Sequence, residues 1–209
     1  MAHVLTIAQQ KGGTGKTTLA AHLAAAFAGT RRVALLDIDP QRSLRHWHEL
    51  RAARAPAPAA IAFADTTGWR LAATLDGLRR SCDLVLIDSP PQIETEARLA
   101  IRAADLVLVP VQPSPLDLWA AEGTLTLTAA ERRATRVVLN RAPKAGRLRA
   151  TIEDEIARRA LPRLAATLGN RVGFATAFAT GLGITEAAPR GPAAAELRAL
   201  LAEIEDLIR

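Results

Sequence analysis

Cysteine is almost missing from this chain: Cys82 is the only one in 209 residues. One thiol makes no internal disulfide and no cysteine-based metal site. Tyrosine is absent, and aromatic residues make up only 3% of the chain. Lysine is scarce: Lys11, Lys16 and Lys144 stand among 27 basic residues, the rest being arginine. No apolar run approaches the ~20 residues that a membrane-spanning helix needs. The first residues, His3-Val4-Leu5, lack the basic-then-apolar order of a secretory leader. Together these absences predict a reducing, cytoplasmic setting.

Hydrophobic residues make up 49% and charged residues 23%, a composition that excludes disorder of the whole chain. The length fits one domain with a substantial core. The net charge is +6. In a chain so rich in alanine and arginine the arginine excess says little by itself. The placement of the few lysines says more, because Lys11 and Lys16 share one short loop.

Apolar strings alternate with helical patterns along the chain. Strands are expected at Val4–Ala8, Val33–Leu36, Leu84–Ile87, Leu106–Val111 and Val137–Leu139, and a last one at Arg171–Phe174. Helices are expected at Leu19–Phe27, Leu44–Arg54, Thr67–Arg80, Glu94–Arg102 and Leu116–Arg133. Two more follow, Ile152–Leu168 with a break at Pro162 and Ala193–Ile208, while Ala55–Ala60 reads as a loop. Continuous apolar strands alternating with helices predict an α/β fold: a doubly wound, mostly parallel sheet with helices on both faces, in a single domain. In such sheets ligands bind beyond the carboxyl ends of the strands. Polar signals sit at those ends: Lys11–Thr17, Asp37–Gln41, Asp88–Pro91, Gln112–Asp117 and Asn140-Arg141.

The first of these signals is Gln10-Lys11-Gly12-Gly13-Thr14-Gly15-Lys16-Thr17-Thr18, between the first strand and the first helix. Glycines let successive N–H groups turn inward toward phosphate oxygens, and the helix N-terminus adds the positive end of its dipole. Lys16 is placed to reach the β- and γ-phosphates and the Thr17 hydroxyl to ligate Mg2+. The common P-loop pattern is not met literally, because its first glycine would fall on Gln10; Lys11 before two glycines stands in its place. In Leu84-Val85-Leu86-Ile87-Asp88, a carboxylate ends an apolar strand at the same edge, within reach of a Mg2+ water.

The string K-G-G-T-G-K-T is a deviant Walker A loop, and it resembles that of the ParA/MinD superfamily of P-loop ATPases, most closely the short plasmid-type ParA partition ATPases. That resemblance implies a P-loop NTPase fold that binds ATP and Mg2+, with Lys11, Gly12, Gly13, Thr14, Gly15, Lys16, Thr17 and Thr18 forming the phosphate loop. Lys11 would cross a dimer interface to the partner's nucleotide. In Leu36-Asp37-Ile38-Asp39-Pro40-Gln41, Asp39 would orient the attacking water, and Asp37 would support the Mg2+ shell or the loop. Asp88, with Thr17, would hold the metal partly through water. Ser89, Pro90, Pro91 and Gln92 would form a nucleotide-dependent switch. Pro113, Ser114 and Asp117, in Pro110-Val111-Gln112-Pro113-Ser114-Pro115-Leu116-Asp117, would line the dimer interface. Asn140 would read adenine, with Arg141 beside it. The likeness is strong over residues 3–141 and thin afterwards. The Pro-Arg pair that many members carry after the last strand is replaced, the comparable stretch being Phe178-Ala179.

Between Glu131 and Arg171 there are 11 basic and 4 acidic residues, a local net of +7. A patch like this suits contacts to a nucleic-acid backbone without base reading. With the resemblance it implies non-specific DNA binding, with Arg147, Arg149, Arg158, Arg159, Arg163 and Arg171 as candidate contacts. No N-terminal helix-turn-helix domain is expected, and so no specific operator binding. The closing helix carries Glu196, Glu203, Glu205 and Asp206 on its polar side, which predicts a core-docked helix rather than a membrane anchor.

The activity implied is that of an ATPase that forms a homodimer on ATP, binds DNA and hydrolyses slowly under stimulation by a centromere-binding or cargo-adaptor protein, in the cytoplasm on the nucleoid. Positioning of a protein cargo, such as a microcompartment or chemoreceptor cluster, is the alternative. A small-molecule synthetase of the same fold is a weaker one. An iron–sulfur reductase of this superfamily needs cysteine ligands, and a tyrosine-autophosphorylating kinase needs tyrosines; the chain supplies neither.

Overall fold

The computed structural model describes residues 2–91 and 95–209. Gln92, of the segment expected to switch, and Glu94, the expected start of a helix, lie outside the described residues. In chain order the elements are β1 (His3–Ile7), α1 (Lys16–Phe27), β2 (Val33–Asp37), α2 (Ser43–Ala52) and β3 (Ile61–Asp65). A short 3-10 turn (Gly68–Arg70) leads into α3 (Leu71–Ser81), β4 (Leu84–Asp88), α4 (Thr95–Ala103), β5 (Leu106–Val111) and α5 (Pro115–Ala130). The chain ends with β6 (Ala134–Ala142), α6 (Arg147–Arg158), β7 (Arg163–Gly169), α7 (Val172–Ala179), α8 (Ile184–Ala187) and α9 (Pro192–Leu207).

The strands that read as unbroken apolar runs lie in the middle of the sheet, where both faces are covered. β2, β4 and β5 are buried at every residue. All seven strands pair in parallel, in the order β3-β2-β4-β1-β5-β6-β7. Because side chains alternate along a strand, each apolar run supplies two cores at once. Leu5, Ile7, Leu35 and Leu86 point to one face, where they pack with Leu23 of α1, Trp47 of α2 and Leu197 of α9. Val4, Leu36, Val85 and Ile87 point to the other, against Leu71 and Leu75 of α3 and Ala100 of α4. Beyond β1, that second face continues as Val107, Val109 and Leu139 under Leu118 of α5 and Ile156 of α6. Each fully buried side chain of this size contributes about 1.5–3 kcal/mol.

The closing helix is docked as expected. Leu197, Leu200 and Ile204 are fully buried. Two of its acidic residues serve the neighbouring edge strand. Glu203 accepts from the N–H groups of Ala165 and Ala166 at 2.7 and 2.6 Å, and Glu196 from that of Gly169 at 3.0 Å. Those donors on β7 would otherwise offer a pairing edge to another chain. Among the described residues no helix is long and apolar enough to cross a membrane.

Two expectations of strand and helix fail. The helix expected over Ile152–Leu168, with a break at Pro162, ends at Arg158, and the part beyond Pro162 is β7. Pro162 is the hinge, since its missing N–H cannot continue a helix. The expected last strand at Arg171–Phe174 is instead the start of α7. β3, which ends the sheet at Ile61–Asp65, was not anticipated; its short Ile-Ala-Phe-Ala-Asp run is half-exposed and carries little periodic signal.

Register decides what meets at the carboxyl edge. Asp37 pairs with Asp88 on one side and Asp65 on the other, so the last residues of three adjacent strands lie level. Ile7 of β1 pairs with Asp88, which sets the phosphate loop directly beside that carboxylate.

Candidate functional site

The loop from Gln10 to Gly15 leaves β1 and enters α1 without a side-chain cap on the helix. No acidic residue occupies the first turn of α1, so its orphan N–H groups and positive dipole end face the loop unneutralised. Gly13 and Gly15 have φ of +78° and +92°, backbone that other residues adopt only under strain. At Gly15 there is also no room: a Cβ would lie 2.6 Å from Asn140 Nδ2. The loop is anchored from two other strands. Asn140 donates to the Thr14 carbonyl at 2.8 Å, while Gln112 and Arg141 each donate to the Gly13 carbonyl at 3.0 Å. These bonds use loop carbonyls and engage none of the loop N–H groups.

Lys16, Thr17, Thr18 and Asp39 line one cavity of about 310 Å3 with Gly12, Gly13, Gly15 and Pro91. Burial lowers the Lys16 pKa, and the Asp88 and Asp39 carboxylates oppose that drop. Asp88 is fully buried, and burial raises its carboxyl to about 8. Thr17 partly offsets the rise, while Asp37 and Asp39 add to it. Even so, among the described residues no donor meets either Asp88 oxygen with full hydrogen-bond geometry. A buried carboxylate with two open oxygens beside a threonine hydroxyl is a donor set that fits Mg2+, which takes oxygen ligands and often keeps water between itself and a carboxylate.

Asp37 is differently engaged. Its oxygens accept from the N–H groups of Asp39 at 3.0 Å and Arg45 at 3.1 Å. Of the two supports expected of Asp37, the geometry provides the one to the loop. Asp39, half-buried, holds the Gln41 N–H at 2.9 Å and turns the β2–α2 loop toward the phosphate cavity. Ser89 is buried and donates to the Ile7 carbonyl at 2.8 Å, tying the exit of β4 to the end of β1. Pro90 is buried behind it.

A second cavity, about 280 Å3 and mostly apolar, lies beside the first; Thr18 and Arg141 line both. Its walls are Leu19, His22, Asn140, Leu168 and the stretch Gly169–Phe174. The chain segment that closes this pocket is therefore the β7–α7 turn, and the expectation that Phe178-Ala179 takes that place is corrected. Phe178 lies instead on the phosphate side. His22 is buried in the pocket wall. Its Nδ1 accepts from the Ile184 N–H and its Nε2 faces the Phe174 carbonyl, both at 3.0 Å. Those partners require the neutral ring protonated on Nε2. Burial, chiefly, lowers its pKa to about 4.

Lys11 is half-exposed on the loop and pairs with Asp117 of its own chain, Nζ to Oδ2 at 2.5 Å. Asp117 itself is buried, with its second oxygen unpartnered. Pro113 is buried and Ser114 half-buried just before it, while Leu116 and Trp119 on the same helix turn are exposed.

The expected DNA patch looks different once folded. Arg149 and Arg163 both meet Glu153, Arg158 and Arg159 both meet Glu155, Arg159 also meets Glu122, and Arg171 meets Glu196. Glu122 and Glu196 come from outside the basic stretch and neutralise charge that a count along the sequence leaves free. Among the described residues, Lys144 and Arg147, in and just after the β6–α6 loop, have no carboxylate partner.

Gln112, which opens one of the polar signals read from sequence, clamps the loop, whereas the Arg51–Glu186 pair was not singled out. Arg51 is nearly fully buried and bonds both Glu186 oxygens, at 2.8 and 2.6 Å, joining α2 to α8. A polar residue directly after an apolar strand was a usable signal for Gln112; nothing local marks Arg51.

Residues 5–184 match the family described as CobQ/CobB/MinD/ParA nucleotide binding domain. The chain is 30% identical to the maintenance of carboxysome distribution protein A of Halothiobacillus neapolitanus, over 97% of this chain and 96% of that one. It is 32% identical to the chromosome partitioning protein ParA of Myxococcus xanthus, over 60% of this chain and 56% of that one. Among solved structures, an ATP complex of Cyanothece McdA superposes with a TM-score of 0.78 at 20% identity, covering 95% of this chain and 96% of that one. The septum site-determining protein MinD of Pyrococcus horikoshii, complexed with Mg-ADP, gives 0.78 at 18% identity over 100% and 98%.

Proposed function

The chain belongs to the CobQ/CobB/MinD/ParA nucleotide-binding family, and on that footing we propose that it is a ParA-type ATPase whose ATP-bound dimer holds DNA and positions a cargo. The observation that carries this reading is the buried Asp88, with two open oxygens beside Lys16 and Thr17 under an uncapped helix N-terminus.

ATP lies across the two adjoining cavities, its phosphates on the Gly12–Thr18 loop and its base in the pocket of Asn140 and His22. Loop N–H groups and Lys16 bind the β- and γ-phosphate oxygens. Thr17 and Asp88 would hold Mg2+, which would supply positive charge to offset that of the phosphates. Asp39 positions a water for in-line attack on the γ-phosphorus, and the products are ADP and phosphate. Lys11 leaves Asp117 and reaches the nucleotide of a second copy, so ATP joins two chains face to face. Ser89, Pro90 and Pro91 follow the β4 carboxylate and transmit the nucleotide state to the interface. The ATP dimer binds DNA backbone non-specifically on the nucleoid, and a partner adaptor stimulates hydrolysis and release.

The end-to-end likeness to a carboxysome distribution protein favours a protein assembly as the cargo. Likeness to ParA over part of the chain favours a plasmid or chromosome site. The adaptor identifies which. Sedimentation of Asp39→Ala tests the common core: we expect a dimer with ATP and Mg2+ and a monomer with ADP. A chain that binds ATP yet stays monomeric contradicts it.

A further inference from the structure

Trp69 is the most exposed aromatic residue of the described chain, 78% exposed in the turn between β3 and α3. An indole of this size usually brings ~150–250 Å2 of buried surface to a core or an interface. Here it walls an apolar groove of about 300 Å3, floored by Leu71 and Ala72 of α3 and closed by Leu99, Arg102 and Ala103 of α4. The groove is bordered by positive charge. The Arg70 guanidinium lies 4.4 Å over the Trp69 ring, and no carboxylate pairs with it among the described residues. Arg98 and Arg102 on α4 share the single carboxylate of Glu131. An apolar slot between helices with a cationic border complements an amphipathic segment that is apolar on one face and acidic on its flanks.

The groove is joined to the nucleotide edge through one residue. Arg70 also lines a polar cavity of about 620 Å3 that holds Asp37, Asp39 and Asp65. Arg70 is thus shared between the rim of the groove and the lining of that cavity.

We propose that the Trp69 groove docks an acidic amphipathic segment of a protein partner, seating an apolar side chain against Trp69 and carboxylates on Arg70 and Arg98. This rests on the ATPase reading only for naming that partner as the adaptor that stimulates turnover.

The test uses the full chain and two helical peptides carrying leucine at i, i+3, i+4 and i+7, one with glutamate and one with lysine at the flanking positions. Binding is followed by the Trp69 indole and Leu99 methyl resonances. The glutamate peptide should shift both, lose affinity with rising salt, and weaken about tenfold or more in Trp69→Ala and in Ala103→Glu. Absence of binding, equal binding of the lysine peptide, or unchanged affinity in both variants overturns the proposal. So does displacement of the peptide by duplex DNA, or loss of the ATP dimer in Trp69→Ala, which would give the face to nucleic acid or to a second copy. ATP turnover measured alongside keeps the readings apart: a chain that hydrolyses ATP and ignores the peptide keeps its ATPase function and loses this docking site.

Discussion

Lys11 Nζ stands 2.5 Å from Asp117 Oδ2 of the same chain, so the loop lysine is held in cis by a buried carboxylate. A buried carboxylate left without its partner costs about 1–3 kcal/mol, somewhat less here because Lys11 is partly exposed. Lys11→Ala should therefore lower stability by roughly that amount. Lys11→Ala with Asp117→Asn should recover most of it, because the lone charge is gone. Thermal melts of the two single variants and the double variant form the cycle. Asp117→Asn alone should also let the chain dimerise at lower ATP concentration, since Lys11 then leaves no ion pair behind.

Gly15→Ala meets two obstacles, a positive φ and the Asn140 amide 2.6 Å from the new Cβ. Strain of this kind costs on the order of 1–3 kcal/mol. The expected result is a melting temperature several degrees lower and loss of nucleotide binding by calorimetry. Gly12→Ala, where nothing lies within 4 Å of the added carbon, should melt like the parent.

His22 links stability to pH. Its folded pKa of about 4 lies below the ordinary value of 6.5, so between those values the unfolded chain binds the extra proton. Its contribution is complete above pH 6.5 and falls away as the pH drops toward 4. The loss amounts to on the order of 3 kcal/mol. Denaturant melts at stepped pH should show this slope in the parent. A His22→Gln variant that still unfolds cooperatively should lack it.

Arginines already paired with carboxylates are poor phosphate contacts, because a phosphate must displace the partner. Alanine at Lys144 or Arg147 should each reduce the salt dependence of DNA binding by about one unit of slope. Arg171→Ala should leave that slope unchanged and lower stability, since it strips Glu196 of a pair made at 2.6 Å. Filter binding over a salt series, with a melt of each variant, separates the two effects.

The sheet and the phosphate site were legible because their signals are local. Unbroken apolar strands, a glycine-rich turn and carboxylates on strand ends need no knowledge of distant partners. β7 was misread as helix because an edge strand half-covered by α9 has no strong alternation. The pairing of the basic stretch is not legible in sequence for a related reason: Glu122 and Glu196 lie outside it, and only folding brings them to Arg159 and Arg171. Asn140 lines the second cavity as its place after an apolar strand suggested, while the stretch that follows the last strand there is Asn170–Phe174 rather than Phe178-Ala179, because β7 ends at Gly169. Sequence does not separate the three tryptophans either: Trp69 and Trp119 are exposed, whereas Trp47 is fully buried.

Retention of duplex DNA by the chain with ATP, with ADP and without nucleotide, each over a salt series, bears most directly on the nucleotide-switched function. Tight, steeply salt-dependent binding is expected with ATP and Mg2+ alone, and little with ADP or no nucleotide. Equal binding in all three states would contradict it.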